Sequence, residues 1–570
     1  FARRAENQDL FWQARHRAGK TFYRMNDLAA ARKAMIEAIS TIETMRPPAA
    51  RSQQPRYYEN KIAPYLAMVD VALSEGQGNE AFHFTQRAKA RVLTGLLQNA
   101  KTRIVKTMTA REQDRERQLL AEIATTNTQV YREQERQKQN PFRIAELKTK
   151  LQKAQADYAE FRTRLYAQHP LLKTLRGELK PITVEQVAPL VADTKTALLE
   201  FVETDERVYL FVFGKDKPKS AKPAISQQRA TLKIFILETV RGDLYPRVFK
   251  FNQAIAARSE DANASARELY DLLLKPAAAA LEGKTQLIIA PDVVTWGVSF
   301  QALRSETERF VIEDCAVSYT PSLTIYSAVA TNRIPAPIVR MTGTRSPAQF
   351  ALLAVGNPVV SVEAADLLKT VLAVPPADFA DASKETEKTF AEMAGLHGAD
   401  QSLLLTGAEA TEDRVKKELG HARVVHFAAQ GIHHEASPLF SLLAVAPRQE
   451  HREDGLLELR EVLRLDLNAD LVVATGSDWA TPRTLTNRAM TAWSWAWFVA
   501  GSRSALLGQW RMEPSANSAL MIEFHRQLIA DKGRSAKSVV WRTAVQSFLA
   551  NPEHRHPFFW AGFTMLGNGK

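Results

Sequence analysis

Two apolar segments of this chain end in residues that could take part in catalysis. The segment "ARVVHFAAQG" ends at Gln430 and Gly431, and "DLVVATGSDW" runs into Ser477 and Asp478. Both are typical of strands in a parallel sheet, where functional groups gather at the carboxyl ends of the strands. A serine hydroxyl becomes a useful nucleophile when a base takes its proton, but a glutamine amide has no basicity near neutral pH. The two segments therefore predict a polar, hydrogen-bonded site that lacks a general base.

Three histidines close to this site in sequence could serve Ser477 as a base. On a strand, His426 would share a face with Gln430 but lie about 13 Å away from it, which is a poor reach. His433 and His434 fall in the following loop. A hydrolase in which a loop histidine activates Ser477 is therefore an open alternative, and exposed histidines that titrate near neutrality are the ordinary interpretation.

Other reactive side chains give weak signals. The single cysteine, Cys315, excludes an internal disulfide and a multi-thiolate metal site. We expect it to be a buried structural thiol in the middle of a strand. His554 and His556 lack a convincing third ligand, so no metal is expected. No glycine-rich phosphate loop is present, and no cofactor is expected.

The elements that position this site belong to an α/β domain. After residue 180, short apolar runs alternate with helical segments, and they include "TALLEFV", "TQLIIAP", "FALLAVG", "FSLLAVAP" and "SALLGQW". Several of them are continuously apolar, as expected where a parallel sheet is covered by helices on both faces. Residues 181–570 are therefore predicted to form an α/β domain with a mostly parallel sheet.

The first 180 residues are predicted to be helical. Small and large apolar residues follow the spacing of a tetratricopeptide repeat at Ala18, Gly19, Phe22, Ala31, Met35 and Ala38. A second helical pair, with Ala81 and Ala88, is a weaker match, and a proline-rich insertion separates the two. Residues 1–103 are therefore predicted to be degenerate tetratricopeptide-like repeats, with a generic helical bundle as the alternative.

Residues 104–180 are highly charged and helical, with an interruption at Asn140 and Pro141 that cannot continue a helix. This pattern predicts a long helical hairpin. No catalytic residue is evident in it, and we expect it to connect the two halves or to hold a partner.

The two strand ends resemble the CHAT family, the caspase-like domains associated with tetratricopeptide repeats. In that family one strand ends H-F-A-x-H-G and a later strand ends L-V-x-L-S-A-C-E-T. Further segments are similar to family blocks in the expected order, among them "LIIAPDVVTWGVSFQAL", "LLLTGAEATEDRVKKEL" and "HPFFWAGFTMLGN". The resemblance extends over residues 181–570 and implies the fold of a cysteine peptidase.

The resemblance also implies a catalytic dyad, in which a histidine takes the proton of a cysteine and backbone amides near a glycine stabilise the oxyanion. In this chain Gln430 stands at the histidine position, followed by Gly431. Ser477 stands at the cysteine position, and Asp478 at that of its acidic neighbour. Losing such a dyad removes on the order of several powers of ten in rate. We therefore predict a degenerate CHAT pseudopeptidase that acts as a scaffold or regulator.

Composition bounds the partners. The net charge of +12 comes from 75 basic and 63 acidic residues, which are interspersed as on an ordinary solvated surface. Aromatic residues do not interleave with the cations as in single-strand nucleic-acid grooves, so no nucleic acid is expected. The expected partner is a protein or peptide, bound by the helical repeats. The sequence does not specify the oligomeric state.

Location is a default expectation. No apolar run of about eighteen residues is present, which predicts no membrane span. We expect a cytoplasmic protein, while a start at Phe1 leaves a removed leader open as an alternative.

Overall fold

The structure is a computed structural model that divides into two compact units. It describes residues 8–44, 60–99, 108–134, 136, 140–216, 230–331, 348–362, 364–365, 378–434, 437–448, 453–476, 487–510 and 512–567. The first unit comprises residues 1–64 and 94–179, and the second comprises residues 65–93 and 180–570. Residues 65–93 thus group with the α/β unit, although the sequence suggested a place among the repeats. The domain bounds 1–103, 104–180 and 181–570 remain predictions.

The helices follow one another along both units. In chain order they are α1 Gln8–Arg24, α2 Leu28–Thr44, α3 Ala63–Ser74, α4 Gly78–Asn99, α5 Ala110–Gln134, α6 Pro141–Gln168, α7 Pro170–Leu175, α8 Val184–Val187, α9 Arg241–Ala256, α10 Asp261–Leu273, α11 Ala278–Leu281, α12 Val311–Asp314, α13 Leu323–Ala330, α14 Asp378–His397, α15 Glu412–Glu418, α16 Leu459–Val462, α17 Asn487–Ala500, α18 Pro514–Asp531 and α19 Lys537–Leu549. Within the described ranges, no helix has the length and apolar character that a membrane crossing needs.

The strands all belong to the second unit. They are β1 Thr196–Glu203, β2 Val208–Gly214, β3 Thr231–Leu237, β4 Gln286–Ala290, β5 Ala316–Tyr319, β6 Phe350–Pro358, β7 Ser402–Gly407, β8 Ala422–Ala428, β9 Gly431–Ile432, β10 Leu442–Ala444, β11 Leu456–Glu458, β12 Leu471–Ala474, β13 Ser504–Gly508 and β14 Phe563–Gly567.

The first helical pair is held together by a close contact. A Cβ added to Gly19 in α1 would lie 2.8 Å from Cε of Met35 in α2. Met35 and Ala38 are fully buried, so a small residue at position 19 lets α1 approach α2. The sequence placed a tight approach at this glycine for the same reason.

Helices α5 and α6 pack against each other. Asn140 caps the start of α6, since its Oδ1 accepts a hydrogen bond from Arg143 N at 3.1 Å, and Pro141 occupies the first helical position. The buried carboxylate of Glu116 in α5 accepts hydrogen bonds from Arg176 at 2.8 and 2.9 Å and from the Tyr158 hydroxyl at 3.3 Å. These polar contacts join α5 to α6 and to the segment that follows α7.

The main sheet is mostly parallel, as predicted. Across the described strands its order is β3-β2-β1-β4-β5-β14-β13-β12-β8-β6-β7. Seven of its ten neighbouring pairs are parallel; the exceptions are β3–β2, β2–β1 and β13–β14. Strands β1, β12 and β13 are buried at every residue. Because successive side chains of a strand alternate between faces, both faces of the sheet are covered there.

A second, small sheet has the order β11-β10-β9 and is antiparallel. It contains the predicted strand "FSLLAVAP" as β10, which therefore lies outside the main sheet. Its buried residues Ile432, Leu442 and Ala444 pack with Val360 and Leu456. This sheet begins at Gly431, and two residues separate it from the end of β8 at Ala428.

A buried ion pair docks α4 on the main sheet within the second unit. Lys89 Nζ lies 2.6 Å from Oε1 of Glu200 in β1 and donates to Pro291 O at 2.8 Å. The other carboxylate oxygen of Glu200 accepts from Leu323 N at the start of α13. Burial raises the pKa of Glu200, and the Lys89 ammonium opposes that shift. Each charge is therefore stable in this environment only because the other is present.

We expect Lys89→Met to lower the free energy of unfolding by about 3–5 kcal/mol, because it leaves a buried carboxylate without its cation. The double variant Lys89→Met/Glu200→Met should recover most of that loss. Urea unfolding followed by circular dichroism measures both. The matched control is Arg247→Met, which breaks an exposed pair with Glu268 and should cost less than about 1 kcal/mol. A Lys89→Met protein as stable as the control would contradict the expectation.

Candidate functional site

Strands β8 and β12 are parallel neighbours, and their register aligns the two strand ends. Ala474 pairs with Phe427, an offset of 47 in residue number. Thr475 N donates to Phe427 O at 2.9 Å, which carries the pairing one residue further. The same offset of 47 separates Gln430 from Ser477. Continued along the chain, this register would set the two predicted dyad positions opposite each other.

The two chains come into backbone contact directly before these positions. A Cβ added to Gly476 would lie 2.3 Å from Ala429 O and 2.7 Å from its carbonyl carbon. No side chain fits in this space, so glycine is required. Ala429 precedes Gln430, and Gly476 precedes Ser477.

Gln430 connects the main sheet to the small one. It is half-buried, lies between β8 and β9, and its carbonyl oxygen accepts a hydrogen bond from Ala444 N at 2.7 Å. Gly431 is buried in β9 and pairs with Leu443. Ser477 and Asp478 lie outside the described residues, so the contact between Gln430 and Ser477 remains a prediction.

His426 faces a row of other histidines. Its Nδ1 lies 3.0 Å from Nε2 of His525 in α18, whose Nδ1 lies 2.9 Å from Nε2 of His397 at the end of α14. At the other side, His426 Nε2 lies 3.4 Å from Oγ1 of Thr475. We call these four residues the histidine chain. It runs from the helical layer to the end of β12.

The histidine chain is uncharged near neutral pH. Burial lowers the pKa of His426 to about 3 and that of His397 to about 4. Burial and the two neighbouring rings hold the pKa of His525 well below its usual value. A base with so low a pKa removes a hydroxyl proton poorly. His426 is therefore unsuited to activate Ser477. Its ring is buried and its Nδ1 contacts His525, and its place on the strand was already expected to put it out of reach.

The loop histidines are also engaged. His434 Nδ1 accepts a hydrogen bond from Ser437 N at 3.0 Å, so its neutral ring carries the proton on Nε2. His433 Nδ1 lies 3.4 Å from Ser441 Oγ, which accepts from His434 N at 3.0 Å. These contacts direct both Nδ1 atoms to the segment that leads into β10.

Cys315 is a structural thiol. The predicted place in the middle of a strand was wrong, because Cys315 lies directly before β5 and is half-buried. Its Sγ donates to Lys284 O at 3.2 Å. Burial raises the pKa of the thiol to about 11. The thiolate that a cysteine nucleophile needs is therefore scarce at neutral pH.

One group of acidic side chains has the spacing of a metal site among the described residues, namely Glu412, Glu453 and Glu461. Lys416 Nζ lies 2.6, 2.8 and 2.9 Å from these three carboxylates. The ammonium thus occupies the position a cation would take.

Comparison with known proteins identifies the second unit. The family model of the CHAT domain matches residues 263–568, which is more than half of the chain. This chain belongs to the CHAT domain family. The resemblance carried by the two strand ends is thereby confirmed, and the mostly parallel sheet is the caspase-like fold that it implied.

Individual relatives are distant from this CHAT protein. Tetratricopeptide repeat protein 28 of Mus musculus is 24% identical over 351 residues, which is 53% of this chain and 13% of that protein. Two separase–securin complexes of Saccharomyces cerevisiae, at 3.0 and 2.6 Å resolution, match at 8% identity with TM-scores of 0.41 and 0.40. They cover 95% and 98% of this chain and 37% and 40% of those chains. The chain spans a minor part of each relative.

Sequence reasoning did not find His397 and His525. The two residues lie in helices, and His525 is 99 positions from His426. Neither belongs to a strand-end motif, and no short-range spacing joins them. In the sequence each is a single histidine within a helical segment of mixed apolar and charged residues.

The contact between Gly476 and Ala429 can be tested by adding one methyl group. We expect Gly476→Ala to lower the free energy of unfolding by about 3 kcal/mol, because the Cβ meets a backbone carbonyl that cannot rotate away. The control is Gly395→Ala in α14, where nothing lies within 4 Å of the added Cβ. That substitution should stabilise by about 0.5–1 kcal/mol. Equal effects in thermal unfolding would contradict the close approach.

The buried histidines predict a pH dependence. Folding lowers the pKa of each ring, so on acidification the unfolded chain binds protons before the folded chain does. The stability that depends on neutral rings is therefore complete above pH 6.5 and falls as the pH drops toward 4. Asp70 and Glu203, whose pKa values burial raises to about 7, have the opposite dependence. The measurement is therefore the difference between the wild type and His397→Gln in urea.

Between pH 7 and pH 5 the His397→Gln variant should gain about 1–2 kcal/mol relative to the wild type. His421→Gln is the control, because that ring is 40% exposed and lies outside the histidine chain. If the difference in unfolding free energy between the wild type and His397→Gln were the same at pH 7 and pH 5, the neutral, buried state of this ring would be contradicted.

Proposed function

We propose that this CHAT protein is a pseudopeptidase that acts by binding a protein or peptide. The observation that carries the proposal is Gln430, an amide without useful basicity that follows β8 at the position of the family histidine. The parallel register with β12 supports its assignment to that position. A serine at the cysteine position adds a second loss, because its hydroxyl needs a base that Gln430 does not provide.

The surrounding histidines support the same proposal. His426 is engaged with His525, His434 accepts a hydrogen bond from Ser437, and His433 lies beside Ser441. None of these three contacts joins an imidazole to a carboxylate, the partner that orients the histidine of a serine triad and stabilises its cation. The rival function, a hydrolase in which a loop histidine activates Ser477, would require an unprotonated Nε2 on the ring that serves as base. For His434 this means giving up the hydrogen bond that its Nδ1 accepts from Ser437 N.

Partner recognition is assigned to the first unit. It exposes large apolar side chains, including Met25 in the turn after α1, which is 70% exposed, and Phe142 in α6, which is 88% exposed. Such side chains are suited to packing against a protein. The similarity to a protein named for tetratricopeptide repeats is consistent with this role. The caspase-like unit would then serve as a rigid scaffold or a regulatory decoy.

The test for catalysis compares new peptide termini by mass spectrometry. Wild type and Ser477→Ala are incubated with a diverse peptide library and with a cell lysate. We expect the two proteins to give the same termini. Termini that are present with wild type and absent with Ser477→Ala would overturn the proposal in favour of the hydrolase.

The test for binding uses the exposed apolar residues. A partner captured by the wild type should be lost in Met25→Ser/Phe142→Ser, since burial of these side chains would supply part of the affinity. The control is Val362→Ser, which changes a 74% exposed side chain of the other unit. Loss of capture in the control variant alone would place recognition on the caspase-like unit instead.

A further inference from the structure

The hydrogen bonds of Thr475 restrict the protons of the whole histidine chain. Thr475 has one hydroxyl proton and two neighbours, since Oγ1 lies 3.3 Å from Phe427 O and 3.4 Å from His426 Nε2. A carbonyl oxygen can only accept. If the hydroxyl proton goes to Phe427 O, then His426 Nε2 must be the donor to Thr475.

The same reasoning passes from ring to ring. A neutral imidazole has one N–H and one lone pair, so a His426 that donates through Nε2 must accept at Nδ1. His525 then donates from Nε2 and accepts at Nδ1, and His397 donates from Nε2. This arrangement uses every contact in the chain, from His397 through Thr475 to the carbonyl of Phe427. The reverse arrangement leaves the Thr475–Phe427 contact without a proton.

We propose that the histidine chain has this single polarity, and that it is an acid-sensitive relay whose proton entry is Nδ1 of His397 and whose inner end is Thr475. In this polarity the lone pair on His397 Nδ1 is the one that no other member of the chain uses. The ring of His397 is half-buried, whereas His426 and His525 are 2% and 0% exposed. Solvent protons therefore meet the chain at its outer end.

The relay step needs no ring rotation. A proton that binds His397 Nδ1 makes that ring a cation, and its Nε2–H bond can break as a new N–H bond forms on Nδ1 of His525. The Nε2 proton of His525 can pass in the same way to Nδ1 of His426. One N–H bond forms for each that breaks, so the positive charge moves from the end of α14 to the strand beside Thr475.

Charged residues also lie on the helices and strands that pack around the histidine chain. On α18 they are Glu523, Arg526 and Asp531, and Arg526 pairs with Glu523 and with Glu392 of α14. The other charged residues of α14 lie further from His397 along the helix, and they are Asp378, Asp381, Lys384, Glu385, Glu387 and Lys388. Asp400 follows α14, and strands β6 and β7, which pack on α14, contain no charged residue.

Two further elements complete the surroundings of the chain. On α19 the charged residues are Lys537 and Arg542, and Arg542 donates to Ile312 O and Glu313 O. On β8, Arg423 pairs with Asp470. Within the contacts of the histidine chain itself, the three imidazoles are the groups that titrate, since the remaining partners are a hydroxyl and a backbone carbonyl.

The experiment is nitrogen NMR of the full chain with labelled histidine side chains, with signals assigned by single His→Gln variants. At pH 7.5 we expect His397, His525 and His426 to carry the proton on Nε2. On acidification His397 Nδ1 should be the first of the three to take up a proton. A proton on Nδ1 of His426 at neutral pH, or His426 titrating before His397, would overturn the proposal.

Variants at Thr475 test the origin of the polarity. Thr475→Val keeps the shape of the side chain and removes the hydroxyl. The direction of hydrogen-bond donation along the histidine chain should then reverse, and all three rings should shift to the Nδ1–H form. Thr475→Ser keeps the hydroxyl and should leave the wild-type tautomers. Unchanged tautomers in a folded Thr475→Val protein would overturn the assignment of polarity to Thr475. If that variant does not fold, the wild-type tautomers and their order of titration decide by themselves.

Discussion

The backbone contact between Ala429 and Gly476 is the constraint on which the site depends. Strands β8 and β12 approach until a carbonyl of one occupies the space where the other would carry a Cβ. This contact, together with the parallel register, brings the carboxyl ends of β8 and β12 together on the same side of the sheet. The small sheet starts from the same place, because Gly431 opens β9. Any chemistry or binding at this edge is therefore arranged by backbone geometry before side chains contribute.

Three groups of polar side chains in the second unit are paired in similar ways. Lys89 and Glu200 neutralise each other, Lys416 satisfies three carboxylates, and the rings of the histidine chain hydrogen-bond in series. An unpaired buried donor or charge costs far more than a paired one contributes. These groups therefore specify which helices pack at which strands more than they add stability. Helices α4 and α18 each use such a polar contact to reach the main sheet, and α14 uses one to reach α18.

The sequence predicted those parts of the fold that depend on local pattern. Continuous apolar runs identified the parallel strands; Gln430 lies two residues after β8, and Gly431 opens β9. The sequence did not show that "FSLLAVAP" lies outside the main sheet, because a three-residue strand has the same composition in the small sheet as in the main one. It also missed His397 and His525, whose meeting with His426 depends on the packing of α14 and α18. Such contacts join residues about a hundred positions apart, and a single sequence contains no pattern for them.

The position of β14 in the main sheet has a consequence for the order of folding. This strand lies between β5 and β13, yet it is the last strand along the described chain. Without it the sheet is two separate blocks, one built from β1 to β5 and the other from β6, β7, β8, β12 and β13. During synthesis each block can form by itself, but the ribosome must deliver residue 567 before the two can be joined. Until then both blocks expose an unpaired edge, which leaves the partly synthesised chain open to chaperones and to misassembly.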